Sequence, residues 1–125
     1  MKKIYRLKKN HEIASIVKKR QRVYSNHYII YYNNKSYNQP NQLASIAISV
    51  SKKYGSAVER NYAKRVVREI IRPQINCLNN LSLVIVIKND AKGASFVDLN
   101  EDLLKLIKRV IFLYNKEKKT LEGVN

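Results

Sequence analysis

Arg60, Lys64, Arg68 and Arg72 stand four residues apart, with Asn61 and Arg65 beside them. On a helix, residues at that spacing share one face. The pattern therefore builds a row of guanidinium and ammonium groups. Such a row can hold phosphates, because Arg forks onto two oxygens at once and Asn can serve a backbone or 2′-hydroxyl contact. Like charges four apart repel by about 0.2–0.5 kcal/mol per pair, a cost this row accepts repeatedly. An anionic partner would remove it. The alternative, a merely solvated face, usually mixes both signs. Here the stretch 52–72 sets seven basic residues against two acids, Glu59 and Glu69.

Other chemistries find fewer candidates. RNA cleavage without a metal needs a general acid and base within reach of each other, and His11 and His27 are the only histidines. His11 belongs to a helix start and His27 to a strand start. Each reads as a surface residue or a nucleic-acid contact. Asp98, Glu101 and Asp102 form the one acidic cluster, and their spacing fits helix capping better than metal binding. No phosphate-binding glycine loop is present. The lone Cys77 excludes an internal disulfide and a cysteine metal cage. It lies between Ile75 and Leu78, reads as a small buried thiol, and fits a reducing cytoplasmic compartment. The residues thus describe a binder, with no catalytic side chains and no metal ligands of its own.

Composition agrees. The chain has 125 residues and a formal net charge of +16, which implies a polyanionic partner, nucleic acid before an anionic membrane. Residues 1–72 hold 17 Lys and Arg against 3 acids, and residues 73–125 hold 8 against 6. The binding surface should come from the first part. A 45% hydrophobic content suits one folded core, so residues 1–125 read as a single domain, ordered from about 3 to 115. The longest aliphatic run, Leu83 to Ile87, cannot span a bilayer. The basic start has no apolar stretch of signal-peptide type after it.

The elements that must position the cations follow from periodicity. Residues 10–22 read as a short amphipathic helix, with Asn10 as N-cap and Ile13, Ile16 and Val17 on one face. Residues 27–32 are β-branched and aromatic and read as a strand. Residues 33–42, with Pro40, read as a flexible connection. Residues 44–51 alternate: Ile46, Ile48 and Val50 point to a core, Ser45, Ala47, Ser49 and Ser51 away from it. Gly55 turns the chain into the basic helix and Pro73 ends it. At about 100° per residue, Tyr62, Ala63, Val66, Val67, Ile70 and Ile71 cover one half of that helix and the cations the other. Residues 81–87 form a continuous apolar strand suited to the middle of a sheet. Residues 98–114 form a second long helix, with Asp98 as N-cap and Glu101 completing a capping box. The polar tail after Tyr114 should fray.

At this point "ISVSKKYGSAVERNYAKRVVRE" resembles the signature of the bacterial ribonuclease P protein subunit: a strand, a Lys-Lys-x-Gly turn and an Arg-Asn-containing basic helix. "RLKKNHEIASIVKK" is similar to the family's first helix and "LVIVIKNDA" to its last strand. The resemblance covers residues 1–114. It implies an α+β fold, with a first helix across a mainly antiparallel four-stranded sheet and the basic helix in a left-handed βαβ crossover, against the usual hand. It implies two partners, the catalytic RNA subunit and precursor tRNA, with no membrane and no obligate protein partner. It implies that the RNA supplies the chemistry, hydrolysis of the 5′ leader, with Mg²⁺ on the RNA and no cofactor on protein side chains. Two departures stand out. Tyr62 replaces a common Arg, so a contact there is lost or becomes stacking, and Ile13 and Val17 replace the first helix's common Phe.

Two surfaces are expected. Lys52, Lys53, Arg60, Asn61, Lys64, Arg65, Arg68 and Arg72 grip folded RNA. A groove between the first helix and the sheet holds the single-stranded leader, with Ile13, Val17, Lys18, Tyr28, Tyr31, Ser49, Ser51 and Lys88 as candidates. Tyr can stack on bases with little sequence preference, though strand tyrosines also fill cores. Alternation puts Tyr31 with Ile29 on one face and Tyr28 with Ile30 and Tyr32 on the other. Only one set can line the groove, and the resemblance favours Tyr31. A ribosomal or RNA-chaperone protein would share the helix but not the groove.

Overall fold

The computed structural model describes residues 5–7, 10–34 and 43–123, with side chains absent from the description at 10 and 118–123. The expected connection at 35–42 and the expected N-cap side chain of Asn10 lie outside the described residues. The elements run α1 (Asn10–Lys18), β1 (Arg22–Tyr24), β2 (Tyr28–Asn33), β3 (Ser45–Val50), α2 (Ala57–Ile71), β4 (Ser82–Ile87) and α3 (Phe96–Gly123). Short 3₁₀ turns at Lys52–Tyr54, Arg72–Leu78 and Asn89–Ala91 join them. No helix among the described residues is long and apolar enough to cross a membrane.

One four-stranded sheet has the order β1-β2-β4-β3. β4, the most apolar strand, is interior. It pairs antiparallel with β2 and parallel with β3, so α2 forms the crossover between two parallel neighbours. Arg6 adds a single parallel bridge at Ile46, and the Leu7 amide donates to the Ile46 carbonyl at 2.9 Å. That segment covers part of the otherwise open β3 edge.

The sheet has two unequal faces. Tyr28, Ile30, Tyr32, Ile46, Leu83, Ile85 and Ile87 join the apolar sides of α2 and α3 in the main core. On the other face, Leu7, Ile16 and Val84 make a small cluster, with Ile13, Tyr31, Ala47 and Val86 partly buried against it. α1 supplies that second layer and touches β2 and β4. It is only nine residues long, so much of this face stays uncovered.

Four local expectations need correction. The first helix stops at Lys18 rather than continuing to Arg22, because Arg20 takes a left-handed φ of 59° and its amide closes a turn on the Val17 carbonyl. A strand, β1, follows directly where none was expected from periodicity. α3 begins at Phe96, with Asp98 in its first turn. Its cap is Ser95, whose Oγ accepts from the Asp98 amide at 3.1 Å. The helix runs on to Gly123. Cys77 is exposed, since the 3₁₀ turn that carries it buries Leu78 instead.

Candidate nucleic-acid interface

α2 is firmly started. Ser56 Oγ accepts from the Glu59 amide at 3.2 Å, and Glu59 Oε1 accepts from the Ser56 amide at 3.1 Å. This reciprocal pair satisfies two of the helix's orphan donors. Lys92 Nζ reaches the same carboxylate at 2.9 Å. Lys92, followed by the Ser56 contacts, holds the Glu59 carboxyl down at about 2. A Cβ on Gly55 would meet Glu59 Oε1 at 2.8 Å, so the glycine leaves room for the capping carboxylate.

The helix buries Ala63, Val66, Val67, Ile70 and Ile71. That burial turns Asn61, Arg65 and Arg72 to solvent and leaves Arg60, Lys64 and Arg68 half-buried along one flank. Lys52 and Lys53 are exposed in the 3₁₀ turn at the entrance. The two acids of the region do little to neutralise the row. Glu59 serves the cap and Lys92, and Glu69 pairs with Arg72 at 2.8 Å. Among the described residues, Arg60, Lys64, Arg65 and Arg68 have no ion pair. Arg60 Nε and Arg68 Nε are buried without a hydrogen-bond partner. An idle donor on a charged group is a cost that an incoming phosphate can relieve after a side-chain turn.

Arg68 carries the row to the other face. With Arg6, Leu7, Ile13, Ile46, Ala47 and Ile48 it lines a shallow concavity of about 220 Å³. α1 then crosses the sheet from that corner toward β2, where Lys19 Nζ donates to Asn33 Oδ1 at 3.1 Å. At that end Val17, Arg20, Arg22 and Tyr31 line a second, open concavity of about 400 Å³.

The register lays out the floor between them. Arg22, Tyr31, Val84 and Ala47 stand in one cross-strand row, and Tyr24, Ile29, Val86 and Ser49 in the next. Lys88 and Ser51 each follow the last registered pair, Ile87 and Val50, so alternation carries them to the same side. Tyr31, Ser49, Ser51, Lys88, Ile13, Val17 and Lys18 therefore gather around one face. Tyr28 does not. It is 1% exposed in the main core, and burial pushes its phenol well above the usual range. Of the two tyrosine sets, the structure gives Tyr31 the open face. Lys88 Nζ is engaged by the Ser25 carbonyl at 3.0 Å. Arg6, Arg20, Arg22 and Tyr24 belong to this surface and were missed. The Arg-Val-Tyr order of β1 carries only Arg22 and Tyr24, in a strand too short for periodicity to register.

Ser25, His27 and Asp102 also converge, but not as a nucleophilic triad. Ser25 Oγ and His27 Nδ1 both contact one oxygen, Asp102 Oδ2, at 2.6 and 2.8 Å. In a triad the serine would address the other ring nitrogen. The contact ties the β1–β2 turn to α3. Among the described residues no group of three or more His, Cys, Asp or Glu is placed to hold a metal ion.

The family model described as ribonuclease P matches residues 1–111. The chain belongs to the ribonuclease P protein family. It is 39% identical over 114 residues to the ribonuclease P protein component of Phytoplasma australiense, covering 90% of this chain and 96% of that one. With the component from onion yellows phytoplasma the identity is 42% over 118 residues, covering 93% and 82%. The fold is similar to a Staphylococcus aureus RNase P protein mutant with defective mRNA degradation activity, at TM-score 0.76 and 28% identity, covering 86% and 89%. The Thermotoga maritima RNase P protein gives TM-score 0.71 at 25% identity, covering 83% and 96%. The four-stranded mixed sheet with three helices is thus the ribonuclease P protein fold.

Proposed function

We propose that the chain is the subunit of ribonuclease P that grips the catalytic RNA with α2 and holds the 5′ leader of precursor tRNA on the α1-side sheet face. The observation that carries this reading is a continuity. A cationic flank whose Arg60, Lys64, Arg65 and Arg68 have no ion pair among the described residues meets, at Arg68, an open sheet face that carries Tyr31 and further cations. Folded RNA needs point charges and forks along a ridge. A single strand needs a shallow face with an aromatic ring on which a base can lie.

The chemistry is assigned to the RNA subunit and the Mg²⁺ it holds. The side chains of this chain bind, orient and screen charge. Gathering two polyanions on one cationic protein lowers their mutual repulsion, work otherwise left to metal ions in solution. The test is reconstitution with the RNA subunit and precursor tRNA. Adding the protein should lower the Mg²⁺ needed for cleavage, and the protein purified free of RNA should not cleave. Robust cleavage by the protein alone would overturn the assignment. Equal stimulation of substrates with and without a leader would favour a general RNA chaperone.

A further inference from the structure

Tyr24 is 72% exposed and stands outside the concavity that Val17, Arg20, Arg22 and Tyr31 line. It lies in β1, whose residues alternate exposed, buried, exposed. Val23 faces the main core, so Arg22 and Tyr24 face the α1 side. The register places Tyr24 opposite Ile29 and Arg22 opposite Tyr31. Tyr24 and Tyr31 are therefore diagonal neighbours on one sheet face, with backbones about 7–8 Å apart and rings within mutual reach.

We propose that Tyr24 is a second stacking platform for the single-stranded leader, which leaves the sheet across β1. The proposal rests on the leader-binding reading and extends it to the sheet's outer edge. Three observations point to single-stranded RNA as the occupant. The registered residues on this face include no acid: the row from Tyr24 continues through Ile29 and Val86 to Ser49. Arg20 and Arg22, both exposed, precede Tyr24 along the chain and line the concavity shared with Tyr31. α1 makes its main contacts with β2 and β4, and Tyr24 on β1 is left exposed. A ring flanked by cations on a shallow floor is how proteins bind single strands without reading sequence. Tyr31, nearer the centre, takes the base closer to the cleavage point, and Tyr24 takes one further out.

The test uses the reconstituted holoenzyme and precursor tRNAs whose leaders grow one nucleotide at a time. Tyr24→Ala should match the parent on short leaders. It should lose about 5- to 150-fold in affinity on longer ones, beginning at a greater length than the loss in Tyr31→Ala. Tyr24→Phe should retain the parent's affinity throughout, because the ring and not the hydroxyl stacks. With 2-aminopurine placed at successive leader positions, quenching should vanish at one outer position in Tyr24→Ala alone. If Tyr24→Ala equals the parent at every length while Tyr31→Ala loses leader-dependent affinity, the platform is refuted and the groove stands. A loss that extends to mature tRNA also refutes it. If neither tyrosine matters in variants whose circular dichroism matches the parent, the leader-groove reading itself falls.

Discussion

Tyr28 and Tyr31 are three positions apart in one strand and do opposite work. Tyr28 is wedged between the sheet and the α2–α3 layer, 1% exposed, so Tyr28→Ala leaves a cavity and should cost about 3–5 kcal/mol of stability. Tyr31 is half-buried beside α1. Tyr31→Ala should fold, assemble with the RNA subunit, and lose about 1–3 kcal/mol of preference for precursor over mature tRNA. Denaturant unfolding separates the first outcome, and binding to tRNAs with and without a leader the second; a leader-independent Tyr31→Ala would remove that residue from the groove. The cations behave differently. Arg65 is exposed on the crest of α2, and Arg68 sits at the corner where the two surfaces meet. Arg65→Ala and Arg68→Ala should each weaken holoenzyme assembly by about 1–2 kcal/mol. That loss should be the same for every leader length, since folded RNA is common to all substrates. A leader-dependent loss at Arg65 would place the strand on the helix instead.

Elements with strong periodicity were legible. β3 showed which residues face the main core, β4 its continuous apolar run, and α2 its division into apolar and cationic halves, save that Ser45 is buried and Tyr62 is exposed. What escaped were features fixed by single contacts. β1 has three residues, below any periodic signal, and exists because β2 offers it an edge. The end of α1 is set by one left-handed residue, Arg20, a conformation that Arg does not advertise. The spacing puts the start of α3 at Asp98, whereas the Ser95 hydroxyl caps the helix three residues earlier by accepting from the Asp98 amide. In the candidate site, the α2 cations could be read from spacing. Arg6, Arg20 and Tyr24 could not, since only the sheet register and the edge bridge bring them to the face. The cap of α2 yields a prediction at this scale. Glu59 titrates from an ordinary 4.5 to about 2 in the folded chain, chiefly through Lys92 and then Ser56. A lowered folded-state value means the contribution is complete above about 4.5 and fades as pH falls toward 2. Thermal melts of Glu59→Gln and the parent should therefore differ at pH 7 and converge as the pH is lowered from 4.5. Ser56→Ala, which removes the other half of the box, should cost about 1 kcal/mol at pH 7. Parallel pH profiles for parent and Glu59→Gln would show that the carboxylate is not coupled to folding.

Across the whole molecule, charge and shape are segregated together. The large core lies on one side of the sheet, closed by α2 and α3, while the other side carries only α1 and the short Arg6–Leu7 segment. Closing both sides with long helices would have made a more stable domain with no open floor. The thin layer leaves a face accessible while the opposite face supplies the stability. The net charge of +16 is concentrated in residues 1–72, which build α1, β1 and α2, so the field and the open surface coincide. Such a field acts on RNA before contact and also after it, through release of counterions from each neutralised phosphate. If α2 and its entrance neutralise about six phosphates, log K for the RNA subunit should fall with log salt at a slope of roughly −4 to −5, between the single-strand and duplex coefficients. Removing Arg65 and Arg68 together should make the slope shallower by roughly 1.4–1.8, while Tyr31→Ala should leave it unchanged, since stacking releases no counterions. Titrations at several monovalent salt concentrations and fixed Mg²⁺ measure all three. A slope near zero would mean that shape rather than charge anchors the protein. An unchanged slope in the double arginine variant would move the phosphate contacts off α2, leaving the cations of α1, Arg6 and Arg22 to carry them.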